Sequence, residues 1–232
     1  ERGHIFLDGK EITNLSPKKV REVGLAHIPE DRNTRGLNRT MSIEENLVAV
    51  EVDKAPFSRG MVMNTAAMDR HSEEMVKRFD IRPTDYKLPT SSLSGGNAQK
   101  VVVAREVSMN KKLLVAAQPT RGVDIGAIES IQKTLEEAKK NGAGVLLVST
   151  ELEEITSLSD RIIVIHEGTI TGELSAGEAN ENNLGLLMMG GTVDHQVKED
   201  MTKQQPKVDV EDHQAKEGVT ENQLQEGGKG DE

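Results

Sequence analysis

The stretch TSSLSGGNAQKVVVAREVS, residues 90–108, decides the fold. A serine and two glycines open it, and the apolar positions 98, 101, 102 and 109 then predict an amphipathic helix that begins after Ser94. The first amides of a helix have no partner within it and carry a partial positive charge. Glycines let an anion approach such amides, and a serine hydroxyl adds a donor. The stretch suits a phosphate contact, but taken alone it is better explained as an ordinary helix cap beside a turn.

Continuous apolar runs with helical patterns between them predict the fold class around this helix. LAHI (25–28), KLLVAA (112–117) and AGVLLVST (143–150) read as buried strands. Such runs are typical of a mainly parallel sheet covered by helices, which makes the chain α/β. A strand hairpin is predicted at about 161–174, and HIFLDGKEI (4–12) reads as two short strands around an Asp-Gly turn.

Helix start and stop signals are clear in this sequence. Ser16 with Pro17 opens one helix and Gly24 ends it. Ser42 and Glu45 have capping-box spacing, which marks the start of another helix. Further helices are predicted over 65–79, over 126–141 with a glycine stop, and, as a short helix, over ELEEITSLSD (151–160).

The domain prediction divides the chain in two. Residues 1–190 form the α/β domain, with an inserted helical subdomain at about 41–110. Residues 191–232 are predicted to be a disordered acidic tail, because they lack aromatic residues and cannot bury enough apolar area to offset the entropy of ordering.

Composition excludes several kinds of partner and site. The formal net charge is −10, so there is no overall basic field to hold nucleic acid or an anionic membrane. With no cysteine, disulfides and cysteine metal sites are excluded, and none of the 6 histidines has metal-ligand spacing. No apolar run approaches the roughly 20 residues of a membrane-spanning helix, so a membrane role is predicted to be peripheral and through another protein.

In residue identity, order and spacing, residues 3–190 resemble the ATP-binding cassette of ABC transporters. The matching segments are SLSGGNAQKVV for the signature, LLVAAQ for the Walker B strand, TRGVD for the D-loop, VST for the switch strand and LAHIPEDR for the Q-loop. EDRNTRGL, SGGNAQK and PTRGVDIGAIE look like the second cassette of two-cassette ATPases that drive import of simple sugars and nucleosides. The resemblance implies ATP and Mg²⁺ as ligands.

The chain departs from the family pattern where hydrolysis would occur. Ala117 stands at the Walker B aspartate, Gln118 at the catalytic glutamate and Thr150 at the switch histidine, so no catalytic or metal residue is intact. Glu30 replaces the Q-loop glutamine. No G-x-x-x-x-G-K-[S/T] phosphate loop occurs in the chain. In the family that loop lies just upstream of residue 3, so the chain is expected to begin part-way through a cassette and to be inactive alone.

The resemblance also implies which residues contact ATP. In cassette dimers the signature of one cassette covers ATP held by the Walker A loop of the other, so these residues would serve a partner's ATP. The predicted nucleotide-contacting set is Ser94, Gly95, Gly96, Asn97, Gln99, Asp124 and Glu30. Alternatives stay open for several positions: a surface role for Gln99 and Lys100, a helix cap at Asp124, phosphate or solvent for Arg121, and a coupling loop at 30–32.

The functional prediction follows from that resemblance. The chain is expected to be the C-terminal cassette fragment of an ATPase subunit that energises import of simple sugars or nucleosides, at the cytoplasmic face of the membrane. Its predicted partners are the first cassette of the same polypeptide, membrane permease subunits and, indirectly, an extracytoplasmic solute-binding protein. The alternative is a non-catalytic regulatory pseudo-ATPase. An ABC ATPase acting on DNA or ribosomes has no support, because there is no basic stripe.

Overall fold

Strands and helices follow one another along the chain, and most of them lie where the start and stop signals predict. The computed structural model describes residues 3–108 and 111–193, which lie within the unit Glu1–Val193. The helices in this part are α1 (Pro17–Val23), α2 (Ile43–Val48), α3 (Thr65–Arg78), α4 (Gly95–Val107), α5 (Ile125–Lys140), α6 (Leu152–Leu158) and α7 (Glu181–Met188). The strands are β1 (Phe6–Leu7), β2 (Lys10–Glu11), β3 (Leu25–Ile28), β4 (Ser58–Arg59), β5 (Val62–Met63), β6 (Leu113–Ala117), β7 (Gly144–Val148), β8 (Arg161–His166) and β9 (Thr169–Ser175).

A three-stranded parallel sheet forms the centre, in the order β3-β6-β7. Its register sets Ile28 beside Ala116, and Ala116 beside Leu147. These runs were predicted to form a parallel sheet, and that prediction is confirmed. The other described strands pair as antiparallel ribbons, β1 with β2, β4 with β5 and β8 with β9. The last of these is the predicted hairpin.

The two faces of the central sheet differ in how they are covered. On one face Ala26, Ile28 and Ala116 are fully buried beneath α4 and α5. On the other face of β7, Leu146 and Val148 remain 54% and 51% exposed. This second face is therefore an open apolar surface.

Helix α4 is buried on most of its sides, because it packs against β3, α2 and α5. The sequence predicts an amphipathic helix here, and that prediction is wrong in this respect. Polar residues are buried with the apolar ones, including Gln99, Arg105 and Glu106. Each of these three makes hydrogen bonds, as buried polar groups must.

A buried ion-pair network ties the end of α4 to β3. The Glu106 carboxylate accepts from Arg21 Nη1 at 2.7 Å, from Arg105 Nε at 2.9 Å and from the backbone amide of His27 at 3.2 Å. Arg105 Nη1 also donates to the carbonyl of Gly36 at 2.8 Å. Burial raises the pKa of Glu106, but the Arg21 hydrogen bond and the charges of Arg105 and Arg21 outweigh it, so the pKa is lowered overall. The carboxylate is thereby held ionised.

Most predicted helix ends are confirmed. Ser42 and Glu45 form the full capping box of α2, and Gly24 ends α1 in the left-handed conformation. The sequence did not predict four elements: α7, the β4–β5 hairpin, a π-helical turn at Arg32–Gly36 that Asp31 caps, and a 3-10 turn at Thr90–Ser92. In the described ranges, none of the helices has the length and apolarity that crossing a membrane requires.

The domain boundaries stay a prediction. Residues 191–193 lie in neither helix nor strand. The rest of the predicted tail, residues 194–232, lies outside the described residues. The end predicted for α4 near position 109 also lies outside them, and the helix is described as far as Val107.

Candidate functional site

The carboxyl ends of the three parallel strands meet at one edge of the sheet. Glu30 follows β3, Gln118 follows β6 and Thr150 follows β7. In open α/β sheets, ligands bind in the crevice beyond these ends. The structure therefore brings together three of the positions that the sequence singled out.

The side chains of Gln118 and Thr150 form a hydrogen bond with each other at this edge. The side-chain nitrogen Nε2 of Gln118 donates to Thr150 Oγ1 at 3.3 Å. The backbone amide of Gln118 donates to the carbonyl of Val148 at 2.7 Å. Gln118 has a φ of 48°, a left-handed conformation that is strained for a residue with a side chain. An amide at this point can orient water, but it cannot accept a proton from it.

The Glu30 carboxylate is neutralised by an arginine of the loop after β6. Glu30 Oε1 forms an ion pair with Arg121 Nη1, so Arg121 contacts a carboxylate while much of its side chain stays in solvent. Both side chains are more than half exposed, so the pair adds little to stability. Its consequence is chemical, since a paired Glu30 is a poorer ligand for a cation.

Arg32 also contacts the loop after β6, through hydrogen bonds to two of its carbonyl groups. Its Nη1 donates to the carbonyl of Arg121 at 2.7 Å, and its Nη2 donates to the carbonyl of Gly122 at 3.1 Å. The planar fork of a guanidinium matches two such acceptors. Glu30 and Arg32 thus fasten the segment after β3 to the segment after β6.

The residues at this edge do not fit a magnesium ion. Mg²⁺ prefers carboxylate oxygens, and Ala117 at the end of β6 offers only a methyl group. Across residues 3–108 and 111–193, no group of three or more His, Cys, Asp or Glu side chains is placed to hold a metal. The predicted involvement of Mg²⁺ stays a prediction.

The N-terminus of α4 presents the Ser94 side chain to solvent. Ser94 Oγ accepts from the Asn97 backbone amide at 3.4 Å and from Asn97 Nδ2 at 3.0 Å. Asn97 is itself fixed, because its Oδ1 accepts from the Arg82 amide at 2.8 Å. With its oxygen accepting two bonds, the Ser94 hydroxyl keeps its proton for an acceptor outside the helix.

Packing inside the chain accounts for both glycines that follow Ser94. A Cβ on Gly95 would lie 2.9 Å from Arg32 Nη2 and 3.1 Å from the carbonyl oxygen of Gly122. A Cβ on Gly96 would lie 2.5 Å from Asp124 Oδ2 and 3.0 Å from Ala127 Cβ. A nucleotide contact is therefore not needed to explain these glycines, and their predicted role toward ATP stays a prediction.

Asp124 and Gln99 have internal partners. Asp124 Oδ1 accepts from the Ala127 backbone amide at 2.9 Å, which confirms the helix-cap alternative for Asp124. A role for Asp124 in contacting nucleotide at a dimer interface stays a prediction. Gln99 is 2% exposed, and its Nε2 donates to the carbonyl of Pro119 at 2.8 Å. The surface role considered for Gln99 is wrong, because this side chain ties α4 to the loop after β6.

Arg32 is the site residue that sequence reasoning assigned elsewhere. The sequence groups Arg32 with Glu30 and Asp31 in a coupling loop, a role that stays a prediction. The structure places its guanidinium against Gly95 and the loop after β6. One signal was available: Arg32 follows closely on a predicted parallel strand, and such strand ends converge at one sheet edge.

Comparison with known sequences places the chain among transport proteins. The family model described as ABC transporter matches residues 1–121. The nucleoside import ATP-binding protein NupA of Lactococcus lactis is 42% identical over 194 residues, which cover 84% of this chain and 38% of that protein. The guanosine import ATP-binding protein NupO of Bacillus subtilis is 45% identical over 192 residues, 83% of this chain and 38% of that protein. The chain thus spans little more than a third of either relative.

Comparison with solved structures supports the same fold. The dimeric ATP-binding cassette MJ0796 bound to ADP and Pi aligns with a TM-score of 0.64 at 21% identity, covering 75% of this chain and 74% of that one. The ADP conformation of the cassette MJ1267 aligns with a TM-score of 0.61 at 22% identity, covering 80% and 74%. At such identities the likeness shows an ATP-binding-cassette fold and nothing finer.

Proposed function

This chain belongs to the ABC transporter family, and from that premise we propose that it forms part of the ATP-binding subunit of an importer for simple sugars or nucleosides. The names of its relatives support this solute class, since they include nucleoside, guanosine, glucose and ribose import proteins. In this proposal the subunit works at the cytoplasmic face of the membrane against permease subunits. An extracytoplasmic solute-binding protein delivers the solute to them.

Within that subunit, the N-terminus of α4 completes the ATP site of a partner cassette. The observation that carries this proposal is the Ser94 hydroxyl, which is exposed and keeps its proton while Asn97 fills its acceptor positions. The first helix amides and the helix dipole favour an anion beside it. ATP therefore binds this chain through its phosphate oxygens, and the first cassette supplies the remaining contacts and Mg²⁺.

The chain's own sheet edge acts as a non-hydrolytic site. Gln118 offers no base, and loss of a general base costs ~10²–10⁴ in rate. Glu30 is neutralised by Arg121 and Ala117 offers no ligand, so little negative charge is left to hold a cation there. Hydrolysis in the subunit is consequently assigned to the partner cassette.

A substitution at Ser94 tests the shared site. In the two-cassette polypeptide that contains this chain, Ser94→Arg blocks the N-terminus of α4, and we expect ATP turnover to fall about 100-fold, the scale for losing an aligned donor. Ser91→Arg is the matched control, because Ser91 is an exposed serine that does not open the helix. Turnover that survives Ser94→Arg contradicts the proposal.

A regulatory pseudo-ATPase is the second candidate. The paired Gln118 and Thr150, together with the Glu30–Arg121 ion pair, favour it because the sheet edge is internally satisfied. This candidate requires that neither site hydrolyses ATP. A wild-type two-cassette protein that binds ATP but releases no phosphate selects it over the importer ATPase.

A further inference from the structure

Helix α4 holds both ends of the loop after β6, which spans residues 118–124. At the start of this loop, the Pro119 carbonyl accepts from Gln99 Nε2 at 2.8 Å. At its end, Asp124 lies against Gly96, since a Cβ on that glycine would be 2.5 Å from Asp124 Oδ2. Gln99 and Gly96 both belong to α4. The ends of the loop are therefore fixed by the helix itself.

The middle of the loop is held by Arg32, which lies outside both α4 and the loop. Its Nη1 donates to the Arg121 carbonyl at 2.7 Å, and its Nη2 donates to the Gly122 carbonyl at 3.1 Å. The same Nη2 would lie 2.9 Å from a Cβ on Gly95, the first residue of α4. One guanidinium therefore contacts the loop and the start of α4 together.

The turn that carries Arg32 is fixed at both of its ends. Asp31 caps this turn, because its Oδ1 accepts from two backbone amides within it at 2.9 and 3.2 Å. At the other end, the Gly36 carbonyl accepts from Arg105 Nη1 of α4 at 2.8 Å. Arg32 is thus held on a braced turn, so its guanidinium can define the position of what it touches.

The shape of the guanidinium, more than its charge, accounts for these contacts. Among residues 3–108 and 111–193, Arg32 forms no ion pair, whereas Arg121 beside it is paired with Glu30. Both acceptors of Arg32 are neutral carbonyl groups. A planar fork can donate to two such acceptors at once, and the single ammonium group of a lysine does not match that geometry.

We propose that Arg32 is a positioning residue of the shared ATP site, which sets the start of α4 against the loop after β6. Arg32 has this role only if the Ser94 hydroxyl faces a partner's phosphates, so the role rests on the proposed function. Ser94 directly precedes Gly95, so displacing the guanidinium shifts the hydroxyl and the first helix amides. Donors that stabilise a transition state must be held in place before the reaction.

Amide signals of the 232-residue chain test the positioning without ATP. Arg32→Lys keeps the positive charge and removes the fork. Arg35→Lys is the matched control, because Arg35 lies in the same turn, is exposed and makes no side-chain hydrogen bond in the described part of the chain. We expect Arg32→Lys to shift the ¹H–¹⁵N signals of Gly95 and Gly122, and the control to leave both in place. Unshifted signals in Arg32→Lys overturn the inference. Urea unfolding shows that each variant folds.

ATP turnover by the two-cassette polypeptide that contains this chain tests the consequence for catalysis. We expect Arg32→Lys to lower kcat about 100-fold, the scale for a misplacement of about 1 Å. The KM should change little, because the lost alignment matters in the transition state. Combined with Ser94→Arg, the substitution should lower kcat no further, since both act on the same donors. Arg35→Lys should keep the wild-type kcat.

Three results on turnover overturn the inference while the proposed function stands. They are a wild-type kcat in Arg32→Lys, multiplying losses in the double variant, and a loss in Arg32→Gln that Arg32→Lys restores. The last result would make Arg32 a charge that acts on phosphate directly. If Ser94→Arg itself keeps turnover, the proposed function fails and the role of Arg32 in ATP turnover fails with it. The signals of Gly95 and Gly122 then show separately whether Arg32 positions them.

Discussion

Replacing Gly96 by alanine tests whether packing requires glycine at the N-terminus of α4. The new Cβ would lie 2.5 Å from Asp124 Oδ2, closer than real contacts allow, and 3.0 Å from Ala127 Cβ. Asp124 must then move, and it is the residue whose Oδ1 caps α5 through the Ala127 amide. The substitution thus strains the α4–α5 contact and the α5 cap together.

The expected magnitude follows from three contributions. Overpacking a filled site costs about 1–3 kcal/mol. Loss of a helix cap costs about 1 kcal/mol. The better helix propensity of alanine returns about 1 kcal/mol. The net loss in the free energy of unfolding is about 2 kcal/mol, which corresponds to a shift of about 1 M in the urea midpoint.

Equilibrium urea unfolding followed by circular dichroism measures this shift. Gly185→Ala is the matched control, because Gly185 lies in α7 and its Cβ would meet nothing within 4 Å. We expect that variant to be as stable as the wild type or slightly more stable. If Gly96→Ala matches Gly185→Ala, the packing explanation is refuted, and the glycine at 96 needs another cause.

Two further predictions concern the ion-pair network and ATP. Glu106→Gln leaves Arg21 and Arg105 without their countercharge, and we expect urea unfolding at pH 7 to show a loss of about 3 kcal/mol. Because the pKa of Glu106 is lowered from 4.5, this difference is present above about pH 4.5 and shrinks as the pH falls through the lowered value; a pH-independent difference contradicts the argument. For ATP, calorimetry on the 232-residue chain at micromolar concentration is expected to detect no binding, since the chain has no phosphate loop. A micromolar Kd would show that the nucleotide contacts are misplaced.

Local signals in the sequence account for most of the elements. The capping box at Ser42, the Pro17 start, the glycine stop at Gly24 and the Asp8–Gly9 turn are each confirmed. Such signals act within a few residues, so they survive whatever the tertiary context is. Continuous apolar strand runs also predicted the parallel sheet, because parallel strands typically read as such runs. They did not predict the exposure of Leu146 and Val148 on the second face of β7.

The missed elements have weak or overridden local signals. The β4–β5 strands are two residues long, too short for a period to be read. Helix α7 is rich in Asn and Gly, which lower helix propensity, and it is held by burial of Leu184 and Leu187 against β8 and β9. The burial of Gln99 within α4 depends on the Pro119 carbonyl, which lies 20 positions away along the chain.

The amino-acid sequence by itself determined the family and the start of α4 at Ser94, because residue identity and short-range spacing carry them. The loss of the catalytic carboxylates stays a prediction from the same residues. Only the tertiary structure decided what those residues touch. Arg32 reaches the Arg121 carbonyl across 89 positions, and Glu30 reaches the Arg121 side chain across 91. Contacts over such separations depend on how the strand ends converge, which no local pattern records. The same convergence places Gly96 against Asp124, so that the glycine's role in packing becomes visible only in the folded chain.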